Sequence, residues 1–262
     1  MSFSIIIPSR YGSNRLPGKP LLDIAGKTMI QRVYEQCMKS EAKQVIIATD
    51  DQRIVDTCQQ FSAEVILTSI DHLSGTDRLH EVVTQKAFPS DHVVVNVQGD
   101  EPLIPHDAIN QVANNLDRNT SAGISTLCEK IVSANDLFNP NTVKVVRGRG
   151  DEAVFFSRAP VPWCREWPSM DHQDSISISA RESLFLNSET RWYRHIGIYA
   201  YRVEVLKQFV EWPASHNECS ESLEQLRALD NGVKIHCQET LVNIPHGVDT
   251  EQDLKKVREL LQ

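Results

Sequence analysis

Short apolar runs alternate with segments whose apolar residues recur three and four positions apart through the first half of the chain. Residues 4–8, 44–48, 64–67 and 92–97 are strand-length runs rich in Ile and Val, bounded by Pro, Asp and Gly. Residues 28–39, 51–61 and 76–87 carry helical spacing. Asp51 is placed to cap the second of these helices, and Thr76 stands near the start of the third. Strand, helix and strand repeated over short connections predict a parallel sheet covered on both faces. Ligands of such sheets bind beyond the carboxyl ends of the strands, where Pro8, Thr49-Asp50 and Gln98-Gly99-Asp100-Glu101-Pro102 fall.

The second half is less regular. Residues 124–128, 142–146, 153–157, 194–201 and 233–237 read as strands, and 218–229 and 250–261 as helices. Residues 164–189 have weak periodicity and many Ser, Asp and Asn, the pattern of a lid, an interface arm or a disordered loop. There is no repeat, heptad or low-complexity tract.

The first strand runs into Ser9-Arg10-Tyr11-Gly12-Ser13-Asn14-Arg15-Leu16-Pro17-Gly18-Lys19-Pro20, with no carboxylate before Asp23. Three cations, Arg10, Arg15 and Lys19, share this glycine-containing loop in a chain of net charge −8. An anionic ligand accounts for the cluster, since freed backbone amides and guanidinium groups both bind phosphate oxygens. No Gly-Lys-Ser/Thr follows, so this is not the Walker pattern, which argues for a nucleotide-using enzyme other than a P-loop ATPase. The acidic balance also argues against general binding to nucleic acid or to anionic membranes. No run approaches the ~18 apolar residues of a membrane span, and no signal peptide is recognisable. The six cysteines are scattered without a CxxC or Cys/His cluster, as expected of reduced thiols in a cytoplasmic protein. At 262 residues the chain has room for one large domain or a domain with an insert.

Two aspartates stand out. Asp100 follows a buried-strand pattern, between a glycine that admits close approach and an acid-proline pair. A hard cation such as Mg²⁺ suits that position, although a turn or helix cap explains it equally well. Asp249, in His246-Gly247-Val248-Asp249-Thr250, precedes the last helical segment, so an N-cap is the simpler reading there. Ser74-Gly75-Thr76-Asp77-Arg78 forms a loop-to-helix junction suited to anion or base contacts. By residue type alone His195 and Tyr199 read as packing residues, and the charges of residues 221–227 as a solvated helix face.

Taken together and in order, these segments resemble the CMP-Kdo synthetases, the 3-deoxy-manno-octulosonate cytidylyltransferases. The motifs are Pro8 through Leu21, Ala48-Thr49-Asp50, Ser74 through Arg78, Asn96 through Pro102, Phe156-Ser157-Arg158-Ala159, Arg194 through Tyr199, Leu223 through Arg227 and Gly247-Val248-Asp249-Thr250. The resemblance implies transfer of CMP from CTP to the anomeric hydroxyl of Kdo, with Mg²⁺, for lipopolysaccharide biosynthesis. It implies an α/β, Rossmann-like and mostly parallel sheet with helices on both faces. Residues 1–262 would form a single nucleotidyltransferase domain, with about 125–205 as a smaller sugar-binding and dimerisation segment of a homodimer. Carried over by position, Arg10, Gly12, Ser13, Arg15, Lys19, Ser74, Gly75 and Arg78 would bind the nucleotide. Asp100 and Asp249 would hold the metal and act in catalysis with Arg15 and Lys19. Gln98, Arg158, His195, Tyr199, Glu224 and Gln225 would surround the sugar acid. An 8-amino Kdo analogue or another acidic sugar is the alternative substrate. A metal-dependent glycosyltransferase would carry a DxD motif where Asp100-Glu101-Pro102 stands, and a non-catalytic nucleotide-binding module would not need both aspartates.

Overall fold

The computed structural model describes residues 2–12, 16–165, 182–183, 185–186, 188 and 190–261. Most of the 164–189 stretch, expected as a long loop, therefore lies outside the described residues. The chain forms two compact units: residues 1–125, 197–213 and 240–262 make the larger, and residues 126–196 and 214–239 the smaller.

In the larger unit, β1 (Phe3–Ser9) is buried along its whole length, as a strand with both faces covered must be. It pairs in parallel with β4 (Gln44–Thr49) on one side and β6 (Val93–Asn96) on the other. β5 (Glu64–Leu67) extends the sheet parallel to β4. A two-residue hairpin, β2 (Asp23–Ile24) with β3 (Lys27–Thr28), leads into α1 (Met29–Cys37). Thr28 caps α1 by accepting from the Gln31 amide, and Met29, Ile30, Val33 and Cys37 form its buried stripe. Asp51 caps α2 (Gln52–Gln60) as expected. α3 (Gly75–Gln85) starts one turn position earlier than the pattern suggests, with Ser74 and Asp77 in a reciprocal capping box.

α4 (His106–Arg118) is an element the apolar pattern does not predict. Gln111 and Asn115 lie on its buried face beside Ala108, Ile109, Val112, Ala113 and Leu116, which blurs the helical period. The Gln111 side-chain oxygen is used, accepting from the Leu241 amide at 3.0 Å.

Two strands carry the chain across the unit boundary: β7 (Ile124–Lys130) and β10 (Tyr193–Arg202). Within the larger unit β10 runs antiparallel to β6, with Tyr199 opposite Asn96. The smaller unit adds α5 (Ala134–Phe138), β8 (Lys144–Arg147) and β9 (Ala153–Ser157), the last two antiparallel. α6 (Val203–Phe209) belongs to the larger unit, whereas α7 (His216–Glu221), α8 (Gln225–Asp230) and β11 (Ile235–Glu239) belong to the smaller. Ile131, Leu137 and Trp192 form an apolar cluster of the smaller unit.

The single helix expected over 218–229 is broken: Ser222 adopts a left-handed conformation (φ 51°) and ends α7. Arg158 accounts for the break. Its Nε donates to the Glu221 carbonyl at 2.6 Å and its Nη2 to the Ser222 carbonyl at 3.3 Å. The Glu221 carboxylate in turn accepts from Ser157 Oγ at 2.6 Å and the Arg158 amide at 2.9 Å. The freed helix-end carbonyls are satisfied by a distant side chain, which local periodicity does not encode. The chain closes with α9 (Glu251–Leu260) in the larger unit.

Candidate active site

The chain order of the larger unit reverses direction at β1: β4 and β5 follow on one side, and β6 is placed on the other. At this switch point, beyond the carboxyl ends of β1 and β6, lies a cleft of about 440 Å³. Arg10, Gly12 and Lys19 reach it from the loop after β1, and Gly75 from the start of α3. Gln98, Gly99 and Asp100 enter from the turn after β6, and Asp249 from the segment before α9.

Two close approaches build the acidic side of the cleft. A Cβ on Gly99 would lie 3.0 Å from the Pro8 carbonyl oxygen, so a larger residue would push this turn away from the end of β1. A Cβ on Gly247 would lie 3.2 Å from the Asp100 carbonyl oxygen. That same oxygen accepts the Val248 amide at 2.8 Å. Val248 is fully buried in an apolar cluster with Ile24, Met29, Leu254 and Val257. Packing of α9 over the β2–β3 hairpin therefore fixes where Asp249 arrives.

The N-cap reading of Asp249 does not hold. Thr250 caps α9, in a capping box with Asp253. Asp249 instead meets Asp100 across one cation: Lys19 Nζ donates to Asp100 Oδ2 at 2.7 Å and to Asp249 Oδ1 at 3.1 Å. On the other side Arg10 Nη2 donates to the Leu73 carbonyl at 2.9 Å, tying the β1 loop to the segment before α3.

Of the expected residues, Arg10, Gly12, Lys19, Gly75, Gln98, Asp100 and Asp249 share the cleft. Ser13 and Arg15 lie outside the described residues. Ser74 uses its hydroxyl to cap α3. Arg78 is fully buried and does not line the cleft; its guanidinium binds Asp50 Oδ2 at 2.7 Å, the Thr68 hydroxyl and the Ser69 carbonyl. It acts as a support for the loop after β5. Tyr199 is buried in β10 with its ring stacked on Tyr201.

The remaining sugar-side candidates are in the smaller unit. Arg158 binds the α7 terminus as described, and Glu224 and Gln225 start α8, half-buried. His195 Nε2 lies 3.0 Å from Thr126 Oγ1, and its ring meets Phe156 edge-on at 4.9 Å. Desolvation, then the Arg194 charge beside it, pushes its pKa down to about 3. His195 is therefore neutral at physiological pH and offers hydrogen bonds rather than charge.

This has a consequence for stability. The ordinary histidine value is 6.5, so between that pH and about 3 the unfolded chain binds a proton that folded His195 refuses. Its contribution is complete above 6.5 and is lost as pH falls toward 3. His195→Gln is expected to flatten the acid limb of urea-unfolding free energy against pH by up to one proton's slope. An unchanged slope would contradict the neutral imidazole.

Ser9 is a lining residue that the sequence reading does not single out. Its hydroxyl is buried at the end of β1 and has no hydrogen-bond partner among the described residues. A polar residue closing the apolar run Ile5-Ile6-Ile7-Pro8 is the signal that marks it.

A family profile described as cytidylyltransferase matches residues 4–235. The chain is 51% identical over 258 residues to the 3-deoxy-manno-octulosonate cytidylyltransferase of Alcanivorax borkumensis, covering 98% of each. It is 53% identical over 261 residues to that of Pseudomonas syringae pv. tomato, covering 100% of this chain and 98% of the relative. Among solved structures, a CMP:2-keto-3-deoxy-manno-octonic acid synthetase complexed with CTP superposes with a TM-score of 0.86 at 40% identity, over 99% of this chain and 98% of that one. A cytidylyltransferase from Leptospira borgpetersenii, 14% identical with a TM-score of 0.59 over 98% of this chain and 84% of that one, shares the fold alone. With an α/β sheet whose switch-point cleft gathers two aspartates and a lysine, and with this likeness over its full length, the chain belongs to the 3-deoxy-manno-octulosonate cytidylyltransferase family.

Proposed function

We propose that the protein transfers CMP from CTP to the anomeric hydroxyl of Kdo, releasing pyrophosphate and supplying CMP-Kdo for lipopolysaccharide assembly. The observation that carries this reading is the convergence of Asp100, Asp249 and Lys19 in the cleft at the ends of β1 and β6, in a chain similar end to end to enzymes of that name.

Attack of the sugar hydroxyl on the α-phosphorus expels pyrophosphate. Such a transfer needs alignment and neutralisation of charge more than a covalent intermediate. Arg10 and Lys19 bring two positive charges to the β1 loop, and the part-buried position of Lys19 reduces screening of its charge. The tie from Arg10 to the Leu73 carbonyl holds one of its guanidinium nitrogens beside the cleft. Arg15 would add a third cation from the same loop. Gln98 lines the cleft from the turn after β6 and offers amide donor and acceptor groups there, and the resemblance would assign His195, Arg158, Tyr199, Glu224 and Gln225 to the sugar acid.

Asp100 and Asp249 fit a divalent cation. One oxygen of each already lies within 3.1 Å of a single ammonium, and two carboxylates completed by phosphate oxygens and water are the donor set Mg²⁺ favours. When bound there, Mg²⁺ supplies neutralisation of phosphate charge. A homodimer in the cytoplasm follows from the resemblance. No helix among the described residues is long and apolar enough to cross a membrane.

Pyrophosphate release tests this directly, with CTP, UTP, ATP or GTP offered alongside Kdo, its 8-amino analogue or N-acetylneuraminate, with and without Mg²⁺. Release is expected from CTP with Kdo in the presence of the metal. No release from CTP with any of the three sugars would overturn the assignment.

A further inference from the structure

Lys19 occupies the place where a cation would be held. Its ammonium lies 2.7 Å from Asp100 Oδ2 and 3.1 Å from Asp249 Oδ1, and its side chain is 11% exposed against 36% and 48% for the two acids. The ammonium is thus the more deeply placed member of the trio. Mg²⁺ bound to the same oxygens would stand about 2.0–2.1 Å from each, so ammonium and metal cannot both sit between them. Lysine has the means to leave: its charge rides on a flexible four-carbon stem. Lys19 also opens the short 3₁₀ turn Lys19–Leu21 and itself lines the cleft.

We propose that Lys19 is a displaceable place-holder for the metal. In the ligand-free protein it neutralises the Asp100–Asp249 pair and suppresses binding of a divalent cation on its own. An arriving triphosphate offers the ammonium a stronger anionic partner, and its departure frees the carboxylates. Metal and nucleotide then bind with positive coupling, each raising the affinity for the other. The metal enters with the nucleotide, and the empty cleft does not accumulate divalent cations. This rests on the reading that Asp100 and Asp249 hold the metal.

The test is titration of Mn²⁺ alone, without nucleotide, followed by the electron paramagnetic resonance signal of free Mn²⁺. Wild type, Lys19→Met and the Lys19→Met/Asp100→Asn double variant are compared, with Lys19→Gln as a second single variant should Lys19→Met fail to fold. Lys19→Met is expected to bind Mn²⁺ at least ~10-fold more tightly than wild type, about 1.4 kcal/mol. The double variant is expected to lose that gain, which places the ion at the carboxylates. Affinity equal to or weaker than wild type in a folded Lys19 variant overturns the place-holder role, as does a gain that survives Asp100→Asn. Wild-type pyrophosphate release from CTP and Kdo is measured alongside. Release without an affinity gain in the variant sinks the place-holder and leaves the activity standing. An affinity gain without release does the reverse.

Discussion

Asp100→Asn is expected to lower CTP-dependent pyrophosphate release at saturating substrates by at least ~10²-fold, the loss typical when one group stabilising transition-state charge is removed. Asparagine matches the shape of aspartate, so the backbone contacts that place it remain: the tight seat of Gly99 on the Pro8 carbonyl and the Val248 amide on the Asp100 carbonyl. Only the charge is lost. Lys19 then keeps a single carboxylate partner, Asp249, and the pair of anionic ligands falls to one. The effect should fall mainly on kcat, because Arg10 and the other loop groups still bind the triphosphate. Circular dichroism and urea unfolding close to wild type would locate the loss in the chemistry. A rate within threefold of wild type would remove Asp100 from the site.

Much of this arrangement is legible in the sequence because it is local. β1, α1 and α2 follow from apolar runs and helical spacing, and the Asp51 cap from its position before them. The cationic loop and the Gly99-Asp100 turn are visible as departures from strand pattern at strand ends. The meeting of Asp249 with Asp100 is not local. It depends on Val248 sinking into the cluster under α9 and on Gly247 passing close to the Asp100 carbonyl, and neither contact has a sequence period. For the same reason Asp249 resembles a helix cap until Thr250 is seen to fill that role. α4 is hidden because Gln111 and Asn115 interrupt its apolar face. The break between α7 and α8 is hidden because its cause, Arg158, comes from the end of β9. Arg78 misleads in another way. A cation one turn into a helix that opens on a cleft looks like a phosphate ligand, yet helical rotation carries its side chain inward to Asp50.

That inward pairing makes Arg78→Ala the substitution with the largest expected cost to stability, about 3 kcal/mol, the lower end of the range for breaking a buried ion pair. Arg78 has no exposed surface, and the Asp50 side chain is 13% exposed. Burial lowers the guanidinium pKa, and the Asp50 charge opposes that shift. Removing the guanidinium leaves the Asp50 carboxylate with little water to replace it and takes a donor from both the Thr68 hydroxyl and the Ser69 carbonyl. It also opens a void between α3 and the end of β4. The residual exposure of Asp50 moderates the cost, which is why the lower end applies. Urea unfolding measures it, and a destabilisation under ~1 kcal/mol would mean that the pair contributes as little as a surface salt bridge. Arg78→Met/Asp50→Asn separates charge from packing. Methionine refills part of the void and asparagine no longer demands a cation, so the double variant should recover a substantial part of the loss. If instead the double variant is as unstable as Arg78→Ala, the cost lies in the missing hydrogen bonds to Thr68 and Ser69. The loop that carries Leu73, the anchor of Arg10, would then be the element Arg78 stabilises.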